Sequence, residues 1–177
     1  MTSKILVLGQ SGQTALELAK LGPPPGFELV FAGRARFDLI GPDDPDALVA
    51  AEVPAAVINA AAYTAVDRAE SEPDAAFRLN RDVPAALARA CARRDVPLVH
   101  FSTDYVFDGT KPEPYVEDDP KAPASVYGRS KAEGEEAVLA AGGQAVILRT
   151  SWVYSAFGSN FVKTMLRLAG ALGSSST

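Results

Sequence analysis

The regular alternation of short apolar runs with helical stretches constrains this chain more than any other feature. Apolar runs at residues 5–8, 28–32, 55–58, 97–101 and 145–148 have the length of buried strands. Residues 14–21, 43–51, 75–94, 125–141 and 160–169 carry helical periodicity or helix signals. Strands that alternate with helices make βαβ units and a parallel sheet covered on both faces. Right-handed crossovers then leave a doubly wound α/β sheet. The 177 residues fit one domain, long enough to bury a core without disulfides or metals. Residues 1–170 are expected to form that domain, and 171–177 a disordered or non-native tail ending in Ser174-Ser175-Ser176-Thr177.

Breakers sharpen the boundaries. Gly22-Pro23-Pro24-Pro25-Gly26 ends the first helix, and Gly142-Gly143 ends the one at 125–141. Asp43 or Asp44 can cap the second helix. Pro84 predicts that the helix over 75–94 is broken or re-entered near it, and residues 104–123 predict a Pro/Asp-rich loop.

Composition excludes several classes. The net charge is −5, whereas a nucleic-acid binder shows a basic face. No run approaches the ~20 apolar residues that span a bilayer. Met1-Thr2-Ser3-Lys4 leads straight into a strand without a signal-peptide layout. Cys91 is the single cysteine and reads as a small core residue. A reducing, cytoplasmic compartment is expected. His100, between Val99 and Phe101, reads as a packed core histidine, and no metal set surrounds it.

In doubly wound sheets, ligands bind beyond the carboxyl ends of the strands. Gly9-Gln10-Ser11-Gly12-Gln13-Thr14-Ala15 follows the first strand and opens a helix. Glycines there permit a tight turn and a close approach to a pyrophosphate, and the helix N-terminus adds N–H groups and partial positive charge. The spacing is G-x-x-G-x-x-A, so a plain βα turn is the competing reading. Arg34 ends the second strand, where an acidic residue would select NAD and an arginine selects the 2′-phosphate of NADP. Asp38 and Leu39 follow, as adenine contacts or as loop-capping residues. Asn59-Ala60-Ala61-Ala62-Tyr63-Thr64 leaves the third strand with small side chains over which a flat cofactor can lie.

The strongest pattern is Tyr127-Gly128-Arg129-Ser130-Lys131. Its phenol and ammonium stand at i and i+4 and share one helix face. A cation near a phenol lowers its pKa and makes it a usable acid–base group. The pair alone is common. Here it follows Ser102-Thr103-Asp104-Tyr105, where a hydroxyl leaves the fourth strand, and it lies downstream of the glycine turn. A hydroxyl, a phenol and a lysine converging on a nicotinamide make a carbonyl-reduction site. Trp152, just past the fifth strand, is either core or a wall for a sugar or base.

These stretches, with Arg149-Thr150-Ser151-Trp152-Val153-Tyr154, resemble the dTDP-4-dehydrorhamnose reductases, extended short-chain dehydrogenase/reductases with an NAD(P)-binding Rossmann fold. The similarity runs from about residue 4 to about residue 169. It implies reduction of the 4-keto group of a dTDP-6-deoxy-hexulose to dTDP-L-rhamnose by NADPH or NADH. Tyr127 would be the proton donor, Lys131 would depress its pKa and hold the nicotinamide ribose, and Thr103 would hydrogen-bond the carbonyl. The cofactor set is Gly9, Gly12, Gln13, Thr14, Arg34, Asp38, Leu39, Ala61, Ala62, Tyr63 and Ser102, together with Tyr127 and Lys131. The substrate set is Thr103, Asp104 and Trp152.

Ala15 stands where family members often have glycine, a change that close helix–strand packing should tolerate. After Ala169 the chain departs from the family, which continues into a small C-terminal domain over the substrate. The resemblance thus implies a C-terminally truncated member with its substrate domain missing and an exposed apolar surface in its place. A homodimer is the expected assembly. Two alternatives stay open: an NAD-dependent sugar-nucleotide epimerase or dehydratase, and a non-catalytic subunit like the reductase relative that regulates methionine adenosyltransferase.

Overall fold

The computed structural model describes residues 2–39, 41 and 43–173, leaving out the side chains of 171–173. The strands are β1 (Ser3–Leu8), β2 (Phe27–Ala32), β3 (Ala56–Asn59), β4 (Leu98–Thr103) and β5 (Ala145–Thr150). All neighbours pair in parallel in the order β2-β1-β3-β4-β5, the doubly wound arrangement expected. The order reverses between β1 and β3, so the ligand crevice belongs above their carboxyl ends. Strands β4 and β5 each extend two residues beyond expectation, carrying Ser102, Thr103, Arg149 and Thr150 to that edge.

The helices are α1 (Gln13–Leu21), α2 (Pro45–Glu52), α3 (Val66–Ala69), α4 (Pro73–Phe77), α5 (Val83–Ala92), α6 (Val126–Ala140) and α7 (Phe161–Gly173). Of the tail expected over 171–177, the backbone of 171–173 continues α7, and 174–177 lie outside the described residues. Asp44 caps α2 by accepting from the Asp46 N–H, and Ser125 caps α6 by accepting from the Gly128 N–H. Helix α2 packs on α5, and α5 on α6. Right-handed connections put these three on one sheet face and α1 on the other. Beneath α2, α5 and α6 lies the main core, with Leu6, Leu8, Val57 and Leu98 of the sheet against Val49, Leu87, Cys91 and Val138. Burial pushes the Cys91 thiol up to about 11, so it stays protonated and inert. On the opposite face, Val146 and Leu148 of β5 and Phe161 and Leu166 of α7 are exposed.

Of the two outcomes expected near Pro84, the helix is re-entered rather than broken. Residues Arg78–Asp82 form a π-helical turn, closed by the Val83 N–H donating to Arg78 O, and the helical path runs on into α5. A proline has no N–H for the carbonyl four residues back, and its ring collides with that carbonyl. The wider turn relieves this at Asn80, whose carbonyl faces α6 instead. A Cβ on Gly134 would stand 1.9 Å from Asn80 O. Gly134 thus lets α6 pack directly on the π turn.

Gly134→Ala should therefore cost about 1–3 kcal/mol of folding stability, because backbone must move to admit one methyl. Gly170, on α7 with open space where its Cβ would be, should gain about 0.5–1 kcal/mol as Gly170→Ala. Urea unfolding of the two variants checks both signs.

Candidate functional site

Above the carboxyl ends of the strands lies an open cavity of about 780 Å³. Its floor begins at the β1–α1 turn. Gly9 has φ +97°, in the left-handed region, and a Cβ there would press on the Ala60 backbone at 3.4 Å. Gly12 has ordinary β geometry (φ −74°, ψ 157°) and nothing within 4 Å of where its Cβ would be. The turn does not need glycine at 12; the missing side chain keeps space open. Helix α1 begins there with no side-chain cap, so its first N–H groups stay available. Ala15 is only 1% exposed, the close packing its motif position requires.

Each wall carries residues singled out in the sequence. Gln13 and Thr14 line the α1 side, Arg34, Asp38 and Leu39 the β2 side, and Ala61 and Ala62 the β3 side. Ser102, Thr103, Asp104, Tyr127, Lys131 and Trp152 close the rest. Tyr63 is not among the lining residues. Its hydroxyl donates to Glu72 Oε2 at 2.6 Å, and its N–H donates to Asn80 Oδ1 at 2.9 Å. The alanine run keeps its shape through Asn59, whose Oδ1 accepts from the Ala61 N–H at 3.3 Å. Asn59 Nδ2 lies 3.1 Å from His100 Nδ1. His100 is fully buried, as expected, and burial pushes it down to about 3, so it is neutral.

Helix α6 delivers the phenol and the ammonium. Tyr127 is 9% exposed and meets Tyr105 edge-on at 5.6 Å. Lys131 is 2% exposed, and its Nζ donates to Phe101 O at 2.6 Å. Burial pulls Lys131 down to about 8, against the opposing charge of Glu135. The Tyr127 phenol moves the other way from expectation. Burial pushes it up, the Asp104 charge adds to the rise, and a hydrogen bond with Thr103 only partly offsets them. Lys131 does not depress it here: pulled down to about 8, the lysine has lost its proton before the phenol ionises. A raised phenol stays protonated at neutral pH, the state a proton donor needs.

Thr103 Oγ1 donates to Asp104 Oδ1 at 3.1 Å and accepts from the Tyr105 N–H at 3.3 Å. Ser151 Oγ donates to Asp104 Oδ2 at 2.5 Å, tying the ends of β4 and β5 together. Trp152 is 74% exposed at the rim, with φ +52° and an edge-on contact to Phe161 at 5.0 Å. So large a side chain in the left-handed region is strained, and such strain clusters at ligand sites. Among the described residues, no group of three or more His, Cys, Asp or Glu side chains could hold a metal.

Residues 3–174 match the family described as the RmlD substrate binding domain. The chain belongs to the dTDP-4-dehydrorhamnose reductase (RmlD) family. It is 53% identical over 166 residues to the dTDP-4-dehydrorhamnose reductase of Sinorhizobium fredii, covering 94% of this chain and 56% of that protein. Against the Escherichia coli K12 reductase the identity is 41%, with 93% and 56% covered. A Bacillus anthracis dTDP-4-dehydrorhamnose reductase solved in complex with NADP superposes with a TM-score of 0.91 at 36% identity, covering 97% of this chain and 61% of that one. The chain spans about half the length of the curated relatives it matches.

Some parts of this RmlD-family site escaped the sequence reading. Gly158 and Ser159 line the cavity, and Asn160 Nδ2 donates to Gln13 Oε1 at 2.9 Å, bringing the segment after β5 over the start of α1. A Gly-Ser-Asn stretch past a strand's carboxyl end was the available signal. Phe37 also lines the cavity but gave no signal beyond its place before Asp38.

Gly12→Val should leave folding stability within about 0.5 kcal/mol, since its backbone angles suit any residue and its Cβ meets nothing. The same change should weaken NADPH binding at least about tenfold, equivalent to 1.4 kcal/mol. Calorimetric titration beside thermal unfolding separates the two; a loss of several kcal/mol in folding would assign Gly12 to the turn instead.

Proposed function

We propose that this chain is the cofactor-binding, acid–base portion of an NAD(P)H-dependent reductase. The reaction is reduction of the 4-keto group of a dTDP-6-deoxy-hexulose to give dTDP-L-rhamnose. The observation that carries the reading is one cavity joining the open Gly12 turn at an uncapped helix N-terminus to Thr103, Tyr127 and Lys131. The residues fit a dinucleotide. The N–H groups of α1 face a pyrophosphate, the alanine run offers a flat bed, and Arg34 stands at the β2 end for a 2′-phosphate, favouring NADPH. Asp38 and Leu39 flank the adenine end. Bound NAD(P)H supplies the hydride.

The chain's own residues do the rest. Tyr127, held neutral by burial, donates its proton to the substrate oxygen. Thr103 hydrogen-bonds that oxygen and orients it. Lys131 leaves Phe101 O for the nicotinamide ribose hydroxyls and then faces Tyr127 as a cation. Asp104 and the exposed Trp152 at the rim contact the sugar nucleotide. Arg34, with no acidic residue at the end of β2, favours this reading over an epimerase working through tightly held NAD. The names of the curated relatives support the substrate class. No described helix is long and apolar enough to cross a membrane; a cytoplasmic location and a homodimer belong to the same reading.

Tyr127→Phe tests the role directly. NADPH affinity should stay within about twofold, while reduction of the dTDP-keto-sugar should fall by at least about 100-fold. Loss of NADPH binding in this variant would contradict the assignment of Tyr127 to proton transfer.

A further inference from the structure

One ionised group of the site faces no substrate. Glu135 stands four residues beyond Lys131 on α6, so Tyr127, Lys131 and Glu135 form one stripe down a single face. Its side chain is 1% exposed. Arg149 of β5 grips it with two bonds, Nε to Oε1 at 2.9 Å and Nη2 to Oε2 at 2.7 Å. Lys121 Nζ lies 3.7 Å from Oε2. Arg149 is itself fixed from two further sides. Its Nη1 donates to Glu117 O at 2.9 Å, and its guanidinium lies 5.0 Å from the centre of the Phe107 ring. A buried carboxylate held this firmly is a fixed negative charge one helical turn from a buried ammonium that donates to the Phe101 carbonyl.

We propose that Glu135 is a positioning residue for the cofactor site: clamped by Arg149, its carboxylate holds Lys131 as a cation at the cavity wall. This rests on the reading of the cavity as a nicotinamide site. Other charges around Lys131 cannot do this. On α6, Tyr127 is a neutral phenol; on β4, His100 is neutral and Phe101 offers a carbonyl. The Asp104 charge acts on Tyr127, with its oxygens bonded by Thr103 and Ser151 at the end of β4, and is not among the charges acting on Lys131. Arg149 and Lys121 are cations and oppose a second cation. Burial alone would neutralise Lys131. Glu135 is the anion that opposes this, and burial's upward pull on Glu135 itself is overcome chiefly by Arg149.

The test is lysine NMR on the full chain without cofactor, with the Lys131 signal assigned by its loss in Lys131→Met. In the unaltered chain the Lys131 signal should titrate near 8. Glu135→Gln keeps the shape and removes the charge; the midpoint should fall by at least about one pH unit. Glu135→Asp should restore most of it. A midpoint unmoved in folded Glu135→Gln overturns the proposal, because a packing role does not shift a titration. Should Glu135→Gln not fold, Glu135→Met combined with Arg149→Met removes the pair, a replacement that buried ion pairs tolerate. A smaller fall there sustains the proposal, and an unchanged or raised midpoint overturns it. NADPH binding to the unaltered chain is read separately, so failure of the cofactor reading is not confused with failure of the Glu135 role.

Discussion

Helix α6 reaches the carboxyl edge of the sheet because two of its residues have no side chain. A Cβ on Gly128 would stand 2.3 Å from Tyr105 O, and one on Gly134 would stand 1.9 Å from Asn80 O. This close approach places the face bearing Tyr127, Lys131 and Glu135 against the ends of β4 and β5. Lys131 meets Phe101 O, and Glu135 meets Arg149. Without it, the phenol and the ammonium would lie on a helix near the sheet but not above its edge. The π turn belongs to the same arrangement, since Pro84 turns the Asn80 carbonyl away from its own helix and toward α6.

The electrostatics follow from that burial. Two groups at the wall are driven toward neutrality: Tyr127 upward and Lys131 downward to about 8. For Tyr127 this suits proton donation. For Lys131 it works against a charged role, and the clamped Glu135 opposes it. His100 shows the outcome with no anion beside it. Buried, and further discouraged by the Lys131 charge, it falls to about 3 and serves as a neutral partner of Asn59.

Much of the fold was legible because its signals are local. Apolar runs bounded by glycine and proline set the five strands, and Asp44 marked a helix start that the structure uses as a cap. The clustering of Gly12, Thr103, Tyr127 and Lys131 was legible because a parallel sheet sends the residue after each strand to one edge. What escaped was decided by tertiary partners. The sequence marks Pro84 as a break or re-entry, but not the π turn that absorbs it. Tyr63 belongs to a cofactor-facing stretch by sequence, yet its hydroxyl is taken by Glu72, on the far side of the short helix α3. Glu135 looks like a solvated helix charge until Arg149, fourteen residues on, is seen beside it.

The central claim is that the cavity under Trp152 holds a reduced nicotinamide dinucleotide. Trp152 is the one tryptophan in the chain and lines that cavity. Its emission overlaps the absorption of a dihydronicotinamide, so it reports occupancy by energy transfer. Titration with NADPH, corrected for inner-filter loss, should quench Trp152 saturably at one equivalent per chain with a micromolar midpoint, while sensitised nicotinamide emission rises. Tryptophan emission unchanged at millimolar NADPH would contradict the claim.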